Sequence, residues 1–129
     1  MPEDIEEVIK IESLSFKYPY PSLVFYEYLQ KIFFVAEENK KIVGYAIGDK
    51  ERHLIVSIAV HPDYRRQGIG KKLMESVLKN MHGYAILQVR KSNKGAIKFY
   101  KKLGFIEGDV IKSYYIDGED AILMFKMLD

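Results

Sequence analysis

Apolar positions recur along this chain in periods that predict a succession of short elements. Near the start, Ile5, Val8 and Ile9 follow Pro2-Glu3-Asp4 and precede Glu12. Proline at an early position, carboxylates at the positive end of the dipole and apolar spacing of three to four predict a helix. Ser22 is placed to cap a second short helix carrying Leu23, Tyr26 and Leu29. Between the two lies Phe16-Lys17-Tyr18-Pro19-Tyr20-Pro21, where two prolines forbid regular helix and leave an aromatic loop. Ile32 to Glu37 and Lys41 to Ile47 read as strands joined at Glu38-Asn39-Lys40, and Arg52 to Val60 reads as a third, ended by His61-Pro62-Asp63.

The second half alternates helix and strand. Gly68 to Met81 predicts a helix with Ile69, Leu73, Val77, Leu78 and Met81 on one face, stopped by His82-Gly83. Residues 84–89, YAILQV, form a continuous apolar run, as a strand buried on both faces would. Asn93 to Leu103 predicts a further helix closed by Gly104, and Phe105 to Leu128 holds two strands around Asp117-Gly118. Two helices, three strands, helix, strand, helix and two strands make an α/β or α+β fold.

Composition narrows the classes. The 129 residues are 48% hydrophobic and 13% aromatic, enough for one domain with a real core and no room for a second. Charged residues make up 29% with both signs mixed, and a net charge of +2 does not argue for a nucleic-acid partner. The absence of cysteine excludes a disulfide framework, a thiolate zinc site and a cysteine nucleophile, and makes the cytoplasm the default location. No apolar run approaches the roughly 20 residues of a membrane span, and the acidic start is unlike a basic signal peptide. His53, His61 and His82 are too scattered for a metal site and read as a strand edge, a turn and a helix end.

The chemistry concentrates in YRRQGIGKKL, residues 64–73. A strand end, a donor-rich loop and glycines at the first turn of a helix make a phosphate cradle, because unpaired N–H groups point outward there. Gly68 and Gly70 allow a ligand to approach the backbone. Neither nucleotide-loop spacing is present. Read alone, the segment is also compatible with a glycine turn carrying solvated arginines.

Arg65-Arg66-Gln67-Gly68-Ile69-Gly70 resembles the Arg/Gln-x-x-Gly-x-Gly/Ala signature of the GNAT superfamily of acetyl-CoA-dependent N-acetyltransferases. SIAVHPDY (57–64) resembles that family's fourth strand and the turn after it. LQVRKSNKGAIKFYKKLGF (87–105) resembles its fifth strand and following helix, and SYYIDGEDAILMFK (113–126) the final hairpin of the amino-terminal acetyltransferases. That branch includes the ribosomal-protein-alanine enzymes. The resemblance implies a mostly antiparallel, twisted sheet splayed between the family's fourth and fifth strands, with flanking helices. It also implies that the family's first strand is missing here: either the sheet has lost an edge or the true start lies upstream of Met1. A lost strand would leave an edge open to pairing, so that a monomer or weak homodimer is expected.

The same resemblance implies roles. Ile58, Ala59 and Val60 would bind the pantetheine arm and acetyl carbonyl through their backbone, the N–H groups of Arg66, Gln67, Gly68, Ile69 and Gly70 would hold the pyrophosphate, and Arg65 and Lys71 would join the cofactor site. Asn93 would contact the pantetheine, although an N-cap serves as well. Tyr100 would protonate the departing thiolate, although it could be a core aromatic. Phe16, Tyr18 and Tyr20 on one wall, with Tyr114 and Tyr115 on the other, would hold the first residues of a peptide. Gln88 stands where relatives carry a glutamate or histidine base; it can orient a water but cannot take a proton. The base is therefore unassigned, which favours an α-amine, whose pKa lies ~2.5 units below that of lysine, about 3.4 kcal/mol. The expected function is transfer of acetyl from acetyl-CoA to the α-amine of a protein or peptide, ribosomal proteins included, with no metal, nucleic acid or membrane involved. The competing readings are a small-amine acetyltransferase, using Glu107, Asp109, Glu119 and Asp120 to hold a cation, and a non-catalytic CoA-binding module.

Overall fold

Among the described residues six strands and two complete helices carry the fold, and each follows from local chemistry. The structure, a computed structural model, describes residues 7, 8, 10, 11, 32–65 and 67–129. These divide into two bodies, one ending at Met81 and the other running from His82 to Asp129.

The first body contains β1 (Ile32–Glu38), β2 (Lys41–Asp49) and β3 (Leu54–Val60), a 3-10 turn (Pro62–Tyr64) and α1 (Ile69–Leu78). β1 and β2 form an antiparallel hairpin around Asn39-Lys40, with φ of 50° and 64°. Two residues in the left-handed region match the twist that a tight hairpin requires, so the expected hairpin is present. Beyond β2, the next antiparallel partner is β3. Among the described strands β1 pairs only with β2, and so forms an edge. The question of an additional strand at the start falls on residues outside those described.

Packing of α1 depends on small residues in β2. A Cβ on Gly48 would lie 2.7 Å from Val77 Cγ1, and one on Gly44 would lie 3.1 Å from both Leu73 Cδ1 and the Ala59 carbonyl oxygen. The two glycines let the apolar stripe Ile69, Leu73, Met74 and Val77 settle directly on the strand. Elsewhere in this body Tyr45, Ile47 and Ala59 cluster with Val8 and Ile11, two helical residues near the start. The buried Tyr45 hydroxyl and Ser57 Oγ share a hydrogen bond of 2.8 Å, so neither polar group is left unsatisfied.

The second body contains β4 (Tyr84–Arg90), α2 (Lys94–Lys102), β5 (Ile106–Ile111) and β6 (Ala121–Met127). β6 lies between β4 and β5 and is antiparallel to both. Lys126 Nζ donates to the Leu103 carbonyl at 2.6 Å, satisfying an acceptor at the end of α2. The mixed α/β class with antiparallel pairing is as expected.

Four expectations need correction. β3 begins at Leu54 rather than Arg52, because Lys50 to His53 form a turn in which the Arg52 N–H donates to Asp49 Oδ1 at 3.3 Å. His53, with φ of 56°, belongs to that turn and not to a strand edge. α1 stops at Leu78 instead of Met81. The N–H groups of Asn80 and Met81 reach back only three residues, to Val77 and Leu78, and the Asn80 amide donates to the Ser76 carbonyl. Met81 is nonetheless buried, which explains why it fits the apolar pattern. Finally, β4 is not buried on both faces. Ala85, Leu87 and Val89 are covered, whereas Tyr84 is exposed and Ile86, Gln88 and Arg90 are half-buried.

Candidate active site

In the first body the candidate site begins where β3 ends. Ile58 and Ala59 are buried and face Ala46 and Tyr45 across the β2 ladder, while Val60 is half-buried and opposite Gly44. The chain then turns sharply. His61 N–H donates to the Val43 carbonyl at 2.7 Å, and His61 Nδ1 accepts from the Asp63 N–H at 3.1 Å, which fixes the turn expected at this histidine. Arg65 folds back so that its Nε donates to the Val60 carbonyl at 2.9 Å. Its guanidinium therefore braces the loop against the strand instead of extending away as a free cation.

Gly68 comes next, with φ of 79° and ψ of 4°, and opens α1 without any side-chain cap. A side chain here would be strained, and the space where its Cβ would stand is open, with no atom within 4 Å. Among the described residues, no hydrogen-bond acceptor meets the N–H groups of Ile69, Gly70 or Lys71. The first turn holds no carboxylate, and Lys71 and Lys72 stand where the dipole disfavours cations. Open space, free donors and cations at a positive helix end suit a multiply charged phosphate ligand, and so fit the pyrophosphate of acetyl-CoA. Arg66 lies outside the described residues. Gln67 is exposed.

The second body supplies the other candidates. Gln88 pairs with Leu123 in the β4–β6 ladder and sits on the half-buried face of β4, shared with Arg90; its side chain makes no hydrogen bond among the described residues. Asn93 caps α2, its Oδ1 accepting from the Ala96 N–H at 3.1 Å. The capping alternative is thus realised, and only the side-chain NH2 remains to meet a ligand.

Tyr100 projects from α2 between aromatic neighbours, its ring centroid 5.4 Å from Phe99 and 6.0 Å from Phe105. Burial pushes its pKa above the ordinary phenol value, and nearby Tyr115 adds to the shift. The hydroxyl keeps its proton, so the group stands as a donor and not as a phenolate base, while burial also makes it a weaker acid. Tyr114 is 49% exposed and meets Tyr115 edge-on at 5.0 Å and 89°. Phe16, Tyr18 and Tyr20 lie outside the described residues.

Sequence reasoning missed Arg90. Its Nη1 donates to both oxygens of Asp117 at 3.1 Å and to Glu119 Oε1 at 2.8 Å, and its guanidinium carbon stands 4.1 Å from the centroid of Tyr115. The partners are 27 and 29 residues away, beyond the reach of any local pattern. An arginine at a strand end and a later acidic cluster were the only signals. Of the four carboxylates considered above for a cation, Glu107, Glu119 and Asp120 have partners within the protein, and Asp109 is exposed. Glu119 is held below its usual pKa by hydrogen bonds from Ser92 and Arg90, and Asp120 by the Ser113 N–H and then by Lys112. Glu107 pairs with Lys101. No three His, Cys, Asp or Glu residues gather as metal ligands among the described residues. A hollow in the first body lined by Glu7, Lys10, Lys41 and His61 involves none of the predicted site residues.

Known proteins resemble this chain in sequence and in fold. The sequence profile of the acetyltransferase (GNAT) family matches residues 5–105. An N-alpha-acetyltransferase of Sulfurisphaera tokodaii is 40% identical over 94% of this chain and 86% of its own length. The [ribosomal protein bS18]-alanine N-acetyltransferase of Escherichia coli is 38% identical over 70% of this chain and 68% of its own. Among solved structures, Ard1 from Thermoplasma volcanium superposes with a TM-score of 0.91 at 31% identity, covering 100% of this chain and 94% of that one.

Proposed function

The chain belongs to the acetyltransferase (GNAT) family and is an acetyl-CoA-dependent N-acetyltransferase, and we propose that its acceptor is the α-amino group at the amino terminus of a protein or peptide. The observation that carries this reading is the archaeal N-alpha-acetyltransferase, which matches nearly the whole of both chains. Ribosomal-protein amino termini belong to the acceptor class, as the name of the Escherichia coli relative indicates for that enzyme.

Bound acetyl-CoA supplies an acyl thioester, whose C–S bond breaks as the amine nitrogen forms a bond to the acyl carbon in a ternary complex. The chain's own residues do the rest. The open N–H groups after Gly68, with Lys71, hold the pyrophosphate. Backbone groups of Ile58 to Val60 align the arm. Tyr100 keeps a proton on its hydroxyl for the leaving sulfur. Gln88 orients a water that carries the amine proton away. Tyr114 and Tyr115 bear on the peptide.

The acidic side chains support the α-amine. Asp117 and Glu119 are committed to Arg90, Asp120 to Ser113 and Lys112, and Glu107 to Lys101. Of the four carboxylates considered for a cation, that leaves only the exposed Asp109 to meet a polyamine or a lysine. An α-amine starts ~2.5 pKa units lower, so a weakly basic site can use it.

The test is acetyl transfer to free-amino-terminal peptides beginning Ala, Ser, Met-Leu and Met-Lys, beside spermidine and an α-blocked lysine peptide, followed by mass spectrometry. Acetylation confined to the α-amine is expected. Transfer to spermidine alone would replace this reading with a small-amine enzyme, and CoA binding without transfer would replace it with a binding module.

A further inference from the structure

Residues 112–120, between β5 and β6, belong to no strand or helix, yet side chains pin them at several points. Arg90, at the end of β4, holds Asp117 and Glu119 with one nitrogen and lies over Tyr115. Glu119 Oε2 accepts from the Ser92 N–H at 2.8 Å, and Asp120 Oδ1 accepts from the Ser113 N–H at 2.9 Å. Within the loop, Tyr115 N–H donates to the Glu119 carbonyl and Gly118 N–H to the Tyr115 carbonyl, at 3.1 and 2.8 Å. The Arg90, Asp117 and Glu119 side chains are 16%, 18% and 24% exposed, so solvent screens these pairs less than a surface pair.

The direction of these contacts matters. Arg90 lies on the half-buried face of β4, opposite the core residues Ala85, Leu87 and Val89. Its guanidinium reaches Asp117, Glu119 and Tyr115, all three in the loop. It grips Tyr115, and Tyr115 supports Tyr114, whose ring stands half-exposed. A guanidinium is suited to this, since it serves two carboxylates in its plane and an aromatic ring on its face.

We propose that Arg90 is a positioning residue for the acceptor peptide: it fixes the 112–120 loop so that Tyr115 and Tyr114 present their rings before the peptide arrives. This rests on the reading that the two tyrosines bear on the peptide. A loop ordered in advance spares the peptide the entropy of ordering it, so the effect falls on peptide binding and not on the chemical step or on acetyl-CoA.

The experiment uses Arg90→Gln, Arg90→Lys and the double variant Asp117→Asn/Glu119→Gln. Steady-state kinetics are measured with peptide and acetyl-CoA varied separately, alongside amide hydrogen exchange of residues 113–119. Arg90→Gln should raise peptide KM about tenfold while kcat and the acetyl-CoA KM stay within about twofold, with faster exchange at Tyr115 and Gly118. Arg90→Lys should recover little, because an ammonium keeps the charge without the planar face that lies over Tyr115. The double variant should reproduce the kinetics of Arg90→Gln, and it decides the matter if Arg90→Gln does not fold. Unaltered peptide KM and exchange, or a joint loss of kcat and acetyl-CoA affinity, would overturn the positioning role. A wild-type protein that acetylates no α-amine overturns the acceptor assignment and the peptide role with it. Normal wild-type acetylation with unaltered variants overturns the role of Arg90 alone.

Discussion

Between β3 and α1 the chain turns at Gly68, in a left-handed conformation with no cap. Between β4 and α2 it turns at Asn93, whose side chain caps the Ala96 N–H. Both junctions lead a strand into a short helix, and neither helix has a carboxylate in its first turn. They differ in where the backbone donors go. At the second junction Ser92 N–H is taken by Glu119, Asn93 N–H by the Arg90 carbonyl, and Lys94 N–H by the Ser92 carbonyl. At the first, the donors of Ile69, Gly70 and Lys71 meet nothing among the described residues. A helix start that satisfies itself is architecture, whereas one left open is a site for an anion. In the proposed function the second junction contributes instead through the far end of its helix, where Tyr100 stands, and through Arg90 just before it.

The contrast can be sharpened or broken by substitution. The largest effect is expected at Tyr100. Tyr100→Phe keeps the contacts with Phe99 and Phe105 but removes the proton, and should lower kcat about 100-fold with the acetyl-CoA KM retained. Because its phenol pKa is raised, the wild-type rate should show no alkaline loss from this residue within the ordinary tyrosine range. An unchanged turnover number would remove Tyr100 from the chemistry. Next comes Gly68→Asp, which adds a carboxylate to the open turn and forces a side chain into left-handed backbone. CoA affinity measured by calorimetry should fall about tenfold or more, with a stability cost of about 1–2 kcal/mol. Retained affinity would mean that the first junction does not hold the phosphate. The smallest effect belongs to Asn93. Asn93→Ala should cost about 1 kcal/mol in thermal or denaturant unfolding, and Asn93→Ser should restore most of it, both with CoA affinity intact. Equal loss of affinity in the two variants would show that the second junction also holds ligand, and the contrast would dissolve.

What could be read in advance followed the range of the interactions. The Asn39-Lys40 hairpin and the Gly68 turn announce themselves because their cause lies within a few residues. The extent of α1 was overestimated because Met81 is buried for tertiary reasons, after the helix has ended. YAILQV read as buried on both faces because apolar content says nothing of what covers each side. Arg90 and its loop were invisible for the same reason, since the grip joins residues 27 and 29 apart. The acidic residues of the final hairpin were noticed as charges, but their partners decide what those charges do.

The position of β6 between β4 and β5 bears on how the protein is made. A ribosome delivers these strands in the order β4, β5, β6, so the strand that joins the other two in this body is the last to emerge. Until it does, β5 has no partner within its body and keeps an unpaired, partly apolar edge, including Ile106 and Val110, at 58% and 44% exposed even in the finished fold. Vectorial synthesis therefore completes the β1–β3 body first and leaves the second to close in one late step, the interval in which a nascent chain is most open to chaperones and to misassociation.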